Sequence, residues 1–161
     1  MQRMSALRAT GVGLLAIVGL AFVAFGVDDV RMSQLPPMHQ AYAERHGVVV
    51  SDTVVAMVLS VFAGQGGLCF GSGLALLLLG AGPVRRGEPF ASGAALALVV
   101  FGNAGIVLAL QRLEAPFVLL LVLITLGVAG VAACRVARRR TTGGSKSLRD
   151  RRSAAVLRGF S

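Results

Sequence analysis

Few side chains in this 161-residue sequence have the chemistry to act on a substrate. The two histidines, His39 and His46, are seven apart, about 10.5 Å along a helix, whereas a helical metal pair sits four apart. Asp28, Asp29 and Glu44 would have to complete a metal site around them. A solvated or interfacial histidine pair that titrates near neutral pH is the simpler reading. A transmembrane haem held by two histidines is excluded unless a partner supplies them. Cys69 and Cys134 form no Cys-x-x-Cys motif and do not read as a disulfide, which argues against a thiol oxidoreductase. Ser60 would become a nucleophile only with a histidine base in reach. Gly64–Gly73 is rich in glycine, like a phosphate loop, but lacks the Lys-Ser/Thr ending, and close helix packing explains it better. No catalytic residue, metal ligand or cofactor is assigned.

The remaining chemistry is polar but uncharged, and lies within apolar runs. Gln65, Asn103 and Thr125 are the central members of this set. An amide exposed to lipid costs several kcal/mol, so Gln65 and Asn103 are expected to face inward, bonded to each other or to a backbone carbonyl between the second and third spans. The alternative is that these groups line a substrate path. No ionisable side chain lies deep in a span. Buried charge is the usual mark of proton relays and ion-coupled transport, so a proton-driven exporter is disfavoured.

The elements that position these residues are four apolar stretches, Leu7–Val27, Thr53–Gly80, Ser92–Leu110 and Pro116–Cys134. Each is apolar on all sides and near the roughly 20 residues needed to cross a hydrocarbon core of about 30 Å. The expected fold is all-α: an integral membrane four-helix bundle over residues 1–134, followed by a basic tail, 135–161. That tail holds nine basic residues and one acid, almost all of the chain's net charge of +9. The high charge is therefore a topological signal, not a nucleic-acid footprint. Arg3 and Arg8 precede the first span, and Arg85 and Arg86 follow the second. The loop 28–52 carries four acids against two arginines, and Gln111–Ala115 is neutral. Both termini are thus expected in the cytoplasm. With 15 arginines and one lysine in a chain rich in Gly and Ala, a bacterial inner membrane is the expected location. The first span has a rival reading as a signal peptide ending at Ala24-Phe25-Gly26.

The 28-residue second stretch is overlong, about 42 Å as a helix. It is expected to tilt, to kink at Gly64–Gly67, or to protrude. Asp52 is its expected N-cap, and Gly82 and Pro83 its end. In the loop 28–52, Pro36, Pro37 and Gly47 bracket a short helix, Met38–His46, expected against the start of the second span. Thr141–Ser147 is expected to be disordered, because Gly143 and Gly144 interrupt a helix.

Helices in lipid associate through close packing, so small residues mark contacts. Ala63, Gly67, Gly71 and Ala75, four apart, make the second span the expected centre of the bundle, and Gly67→Leu or Gly71→Leu would then destabilise it. Gly66, Gly73 and Gly80 form a second ladder at heptad spacing. The other spans offer Gly19 and Gly26; Ala97, Gly102, Gly105 and Ala109; and Thr125, Ala129 and Ala133. Arg135, Arg138, Arg139 and Arg140 are expected at anionic lipid headgroups, worth about 1 kcal/mol each near the surface.

In helix count, length and orientation this architecture resembles the small four-helix bacterial membrane proteins of the DoxX-like kind. The glycine-rich segment Gly64–Gly71 is the local feature to compare, and no functional residue is carried across. The expected role is non-enzymatic: an interaction or accessory subunit binding membrane lipids and either a membrane protein partner or further copies of itself, with a small oligomeric transporter or channel as the alternative.

Overall fold

A computed structural model describes the backbone of residues 2–112 and 118–158, and side-chain surroundings for 6–101, 103, 107 and 118–139. All the regular elements of the described chain are helices, with no strand. In order it forms α1 (Gln2–Arg31), α2 (Pro37–Arg45), α3 (Asp52–Leu79), a π-helical turn (Gly80–Val84), α4 (Pro89–Arg112) and α5 (Val118–Arg158). Three stretches, Ala6–Arg31, Asp52–Val84 and Val118–Arg139, are long and apolar enough to cross a membrane, and α4 adds a shorter apolar stretch, Pro89–Phe101.

The helix ends have local causes. Ser51, not Asp52, caps α3: its Oγ accepts from the Val54 N–H at 3.4 Å. Asp52 sits in the first turn, where a negative charge favours the helix dipole. The short helix expected in the 28–52 loop is present, with Pro37 in its first turn. It closes on Gly47, whose φ of +64° suits a residue without Cβ. There the Gly47 N–H donates to the Glu44 carbonyl and the Val48 N–H to that of Ala43, a Schellman closure.

Gly82 and Pro83 do not end the second apolar stretch. Pro83 has no N–H, and its ring would clash with the carbonyl four residues back. A wider π-helical turn carries the chain through this point instead. The closure falls at Gly87, φ +84°, where the Glu88 N–H donates to the Pro83 carbonyl and the Gly87 N–H to that of Val84. The expected turn after α4 lies at residues 113–117, outside the described residues.

The core centres on α1, not on the second apolar stretch. α1 packs along α3 on one side and α5 on the other, and α4 packs on α5. Leu15, Val18 and Phe22 are buried between these helices with Leu76, Ala95, Val99, Leu123 and Val131. On the α3 side, glycine meets glycine. A Cβ added to Gly73 would lie 2.5 Å from the Gly19 carbonyl oxygen, and one added to Gly26 would lie 2.5 Å from that of Gly66. The two helices run antiparallel with a seven-residue step on each. On the α5 side, a Cβ at Gly11 would lie 2.7 Å from the Gly130 carbonyl oxygen, with the Cys134 sulfur equally close.

The ladder Ala63, Gly67, Gly71 and Ala75 is therefore not the contact within the chain. Ala63, Gly67 and Gly71 are exposed and Ala75 is partly so. A Cβ at Gly67 or Gly71 meets nothing within 4 Å. α1 engages only one side of α3, and its own glycines at seven-residue spacing match Gly66 and Gly73. On α5, likewise, Thr125 and Ala129 are exposed, while Gly127 faces Val99 of α4 and Gly130 faces α1. Ala97 of α4 is exposed, and the side-chain surroundings of Gly102, Gly105 and Ala109 lie outside the described residues.

α5 continues as one helix through Thr141–Ser147 to Arg158, so the expected break is absent. Two interior glycines cost about 1 kcal/mol each against alanine, a penalty on helix stability and not a steric block.

Overpacking a tight contact costs about 1–3 kcal/mol. Gly66→Leu and Gly73→Leu are expected to lower unfolding stability in detergent by at least that much, whereas Gly67→Leu and Gly71→Leu leave it within about 0.5 kcal/mol. Equal losses on both faces would contradict the packing described.

Candidate functional site

The polar groups inside the apolar helices are dispersed. Asn103 is buried, 1% exposed, and its side-chain nitrogen donates to the Val99 carbonyl one turn back in α4. Its burial follows from the stripe Ala91, Ala95, Val99, Asn103, which recurs every fourth residue and turns inward. Thr125 is exposed on α5, its hydroxyl donating to the Leu121 carbonyl at 2.8 Å. Ser60 does the same toward Met57 at 2.7 Å. Such back-bonding to its own helix satisfies a hydroxyl without any partner helix. Gln65 is half-buried on α3. Of the two expected arrangements, Asn103 takes a bond to a backbone carbonyl, that of Val99 within its own helix, and none joins it to Gln65, since α3 packs mainly on α1. Asn103 is buried, Gln65 half-buried and Thr125 exposed.

The two cysteines are free. Cys134 is buried at the α1–α5 contact, its thiol directed to the Arg8 carbonyl at 3.9 Å. Arg135 and Arg139 are exposed and Arg138 is partly exposed, while the side chain of Arg140 lies outside the described residues. Arg86 and Glu88 pair at 3.6 Å with both side chains mostly exposed, a geometry that adds little stability.

A second cluster of chemistry surrounds α2. Residues 33–35, α2, Val50 and the start of α3 enclose an open cavity of about 390 Å³. Its lining combines Ser33, Gln34, Gln40 and Glu44 with the apolar Leu35, Val50 and Val55. Gln40 donates to the Leu35 carbonyl at 2.9 Å and holds the 33–36 link against α2. The histidines expected on one face go to different neighbours. His46 caps the end of α2, stacks on Tyr42 at 4.2 Å between ring centroids, and has Nδ1 2.9 Å from the Tyr42 carbonyl oxygen. His39 instead meets Phe62 of α3 edge-on at 5.1 Å. Burial pushes its pKa below the ordinary 6.5. Among the described residues no three of His, Cys, Asp and Glu gather as metal ligands.

Phe62 and Gly11 carry contacts that their sequence positions did not announce. Phe62 reads as one more apolar residue of the second span. Gly11 lies eight residues before Gly19, outside the heptad that pairs α1 with α3.

Sites without a shared contact add within about 0.3–0.5 kcal/mol. Gln65→Leu and Asn103→Leu are therefore expected to be additive in a double-mutant cycle of unfolding stability. A coupling above about 1 kcal/mol would reveal a bond between them.

No family model, curated protein or solved structure matches this chain.

Proposed function

We propose that this chain is a multi-pass integral membrane protein of a bacterial inner membrane, a four-span bundle with both termini in the cytoplasm and α2 outside. Its role is non-enzymatic: an interaction or accessory subunit that offers α3 to another membrane helix. The observation that carries this reading is the open face of α3. Ala63, Gly67 and Gly71 form a shallow groove four residues apart, the spacing by which helices approach closely in lipid. The same chain already joins its own helices through glycine, at Gly19–Gly73 and Gly26–Gly66.

Several features support the rest of the reading. The basic residues cluster before α1, after α3 and after the apolar part of α5, and acids dominate the α1–α3 connection, as the positive-inside rule asks. Arg135, Arg138, Arg139 and Arg140 then stand at anionic headgroups. Ser60, Asn103 and Thr125 turn their polar groups to carbonyls of their own helix, which suits a packed scaffold better than a path. The central place of α1 supports its retention in the mature protein, because removing a signal peptide up to Gly26 would strip the core of Leu15, Val18 and Phe22. The second reading, a small oligomeric transporter or channel, draws on the same α3 face filled by further copies.

A photocrosslinking residue at Gly71, in cells, is expected to trap one defined membrane protein, while the same residue at Leu119, exposed on α5, traps lipid alone. Self-adducts at Gly71 would point to the oligomeric reading. Lipid adducts alone at both positions would refute the proposed role.

A further inference from the structure

α2 is joined to the rest of the chain by short links, and little of it is buried. Its anchors are Ala43, Leu35 on the preceding link, and the ring of His39. His39 projects from the first turn of α2 to Phe62, two and a half turns into α3. The rings meet edge to face, 85° apart, a favoured aromatic geometry. The His39 Nδ1 atom is sealed from solvent and has no hydrogen-bond partner.

That sealed nitrogen makes the contact depend on the charge of the ring. Neutral imidazole carries one proton, so Nδ1 can remain a bare lone pair. Imidazolium carries a proton on both nitrogens, and a buried N–H of a cation without an acceptor is among the costlier arrangements in a protein. The face of Phe62 attracts a cation but supplies no acceptor to Nδ1. Swinging the ring into water satisfies both N–H groups and breaks the anchor.

We propose that neutral His39 latches α2 onto α3, and that protonation of its ring releases the helix, taking Gln40 and Glu44 away from the cavity they help to line.

The sign follows from linkage. Burial alone lowers the pKa of the seated histidine. The charged or titratable groups on the neighbouring elements are Asp28, Asp29 and Arg31 at the end of α1, Asp52 at the start of α3, and Tyr42, Glu44, Arg45 and His46 on and after α2. The latch is at full strength above pH 6.5, the ordinary value. As pH falls below this, the ratio of released to seated α2 rises by up to tenfold per unit, levelling off below the pKa of the seated ring. His46, stacked on Tyr42 within α2 itself, does not take part. This inference concerns α2 and α3 alone and stands whether or not the proposed function holds.

The test uses the full chain in lipid nanodiscs, with Cys69→Ala and Cys134→Ala. Spin labels are placed at Ala41→Cys and Met57→Cys, both exposed positions. A single short distance is expected at pH 8, and a longer, broader distribution at pH 4.5, with a midpoint below 6.5. His39→Phe keeps the aromatic contact without the titration and is expected to hold the short distance at both pH values. Phe62→Ala is expected to show the long distribution already at pH 8, and His46→Phe to respond as the parent does. The proposal is overturned if the distance ignores pH or if the pH response survives in His39→Phe, in which case the nearby carboxylates are titrating. It is also overturned if His39→Phe is open at pH 8, because the ring contact would then not be the anchor.

Discussion

Backbone against backbone at α1 is the contact on which the other packing rests. Close approach of two helices needs positions without Cβ on both, at matching intervals, and α1 supplies them to two neighbours. Gly19 and Gly26 meet Gly73 and Gly66 at one seven-residue spacing. Gly11 meets Gly130 on the opposite neighbour. With the backbones this close, Leu15, Val18 and Phe22 fill the space between three helices and are nearly sealed from outside. α4 is tied in less directly, through Val99 set against Gly127.

The interior leaves little polar capacity to spare. Asn103, Thr125 and Ser60 each donate to a carbonyl three or four residues back in their own helix. A helix that satisfies its own polar side chains needs no polar partner, so its neighbours are chosen by shape. Here the two sides of α3 contrast. One presents Gly66 and Gly73 to a partner of complementary spacing. The other carries Ala63, which is exposed, and Gly67 and Gly71, which meet nothing among the described residues. The largest gathering of polar and titratable groups lies instead around α2, outside the long apolar helices.

That the apolar stretches are helices, and where α2 and α3 begin, was legible in the sequence because apolar length and capping chemistry are local properties. Pro37 and Gly47 bracket α2 as their backbone preferences dictate. Pro83 misled for a physical reason: proline forbids an ordinary α-helical turn, but a π-helical turn is one residue wider and accommodates it. Thr141–Ser147 misled similarly, since glycine taxes a helix without forbidding it. The choice of packing face on α3 was harder. That helix is apolar all round and has glycines on both sides, so its own pattern does not discriminate between them. The partner narrows the choice without making it: Gly19 and Gly26 are seven apart, but Gly64–Gly71 and Gly73–Gly80 repeat that interval just as Gly66–Gly73 does. The pairing of His39 with Phe62 had no such signal, since an aromatic residue within an apolar run looks like any other.

The two faces of α1 become available to their partners at different times during synthesis. α3 follows after about twenty residues of connection, so the Gly19–Gly73 and Gly26–Gly66 contacts can close while most of the chain is still unmade. The other face must wait, because Cys134 reaches the Arg8 carbonyl across 126 positions of sequence. Until α5 emerges, Gly11 and its neighbours are an uncovered helix surface in a nascent chain that elongates at roughly 5–20 residues per second. For several seconds, therefore, a half-built molecule displays a surface shaped for α5. Insertion factors, or a neighbouring nascent chain, meet that surface before its intended occupant exists.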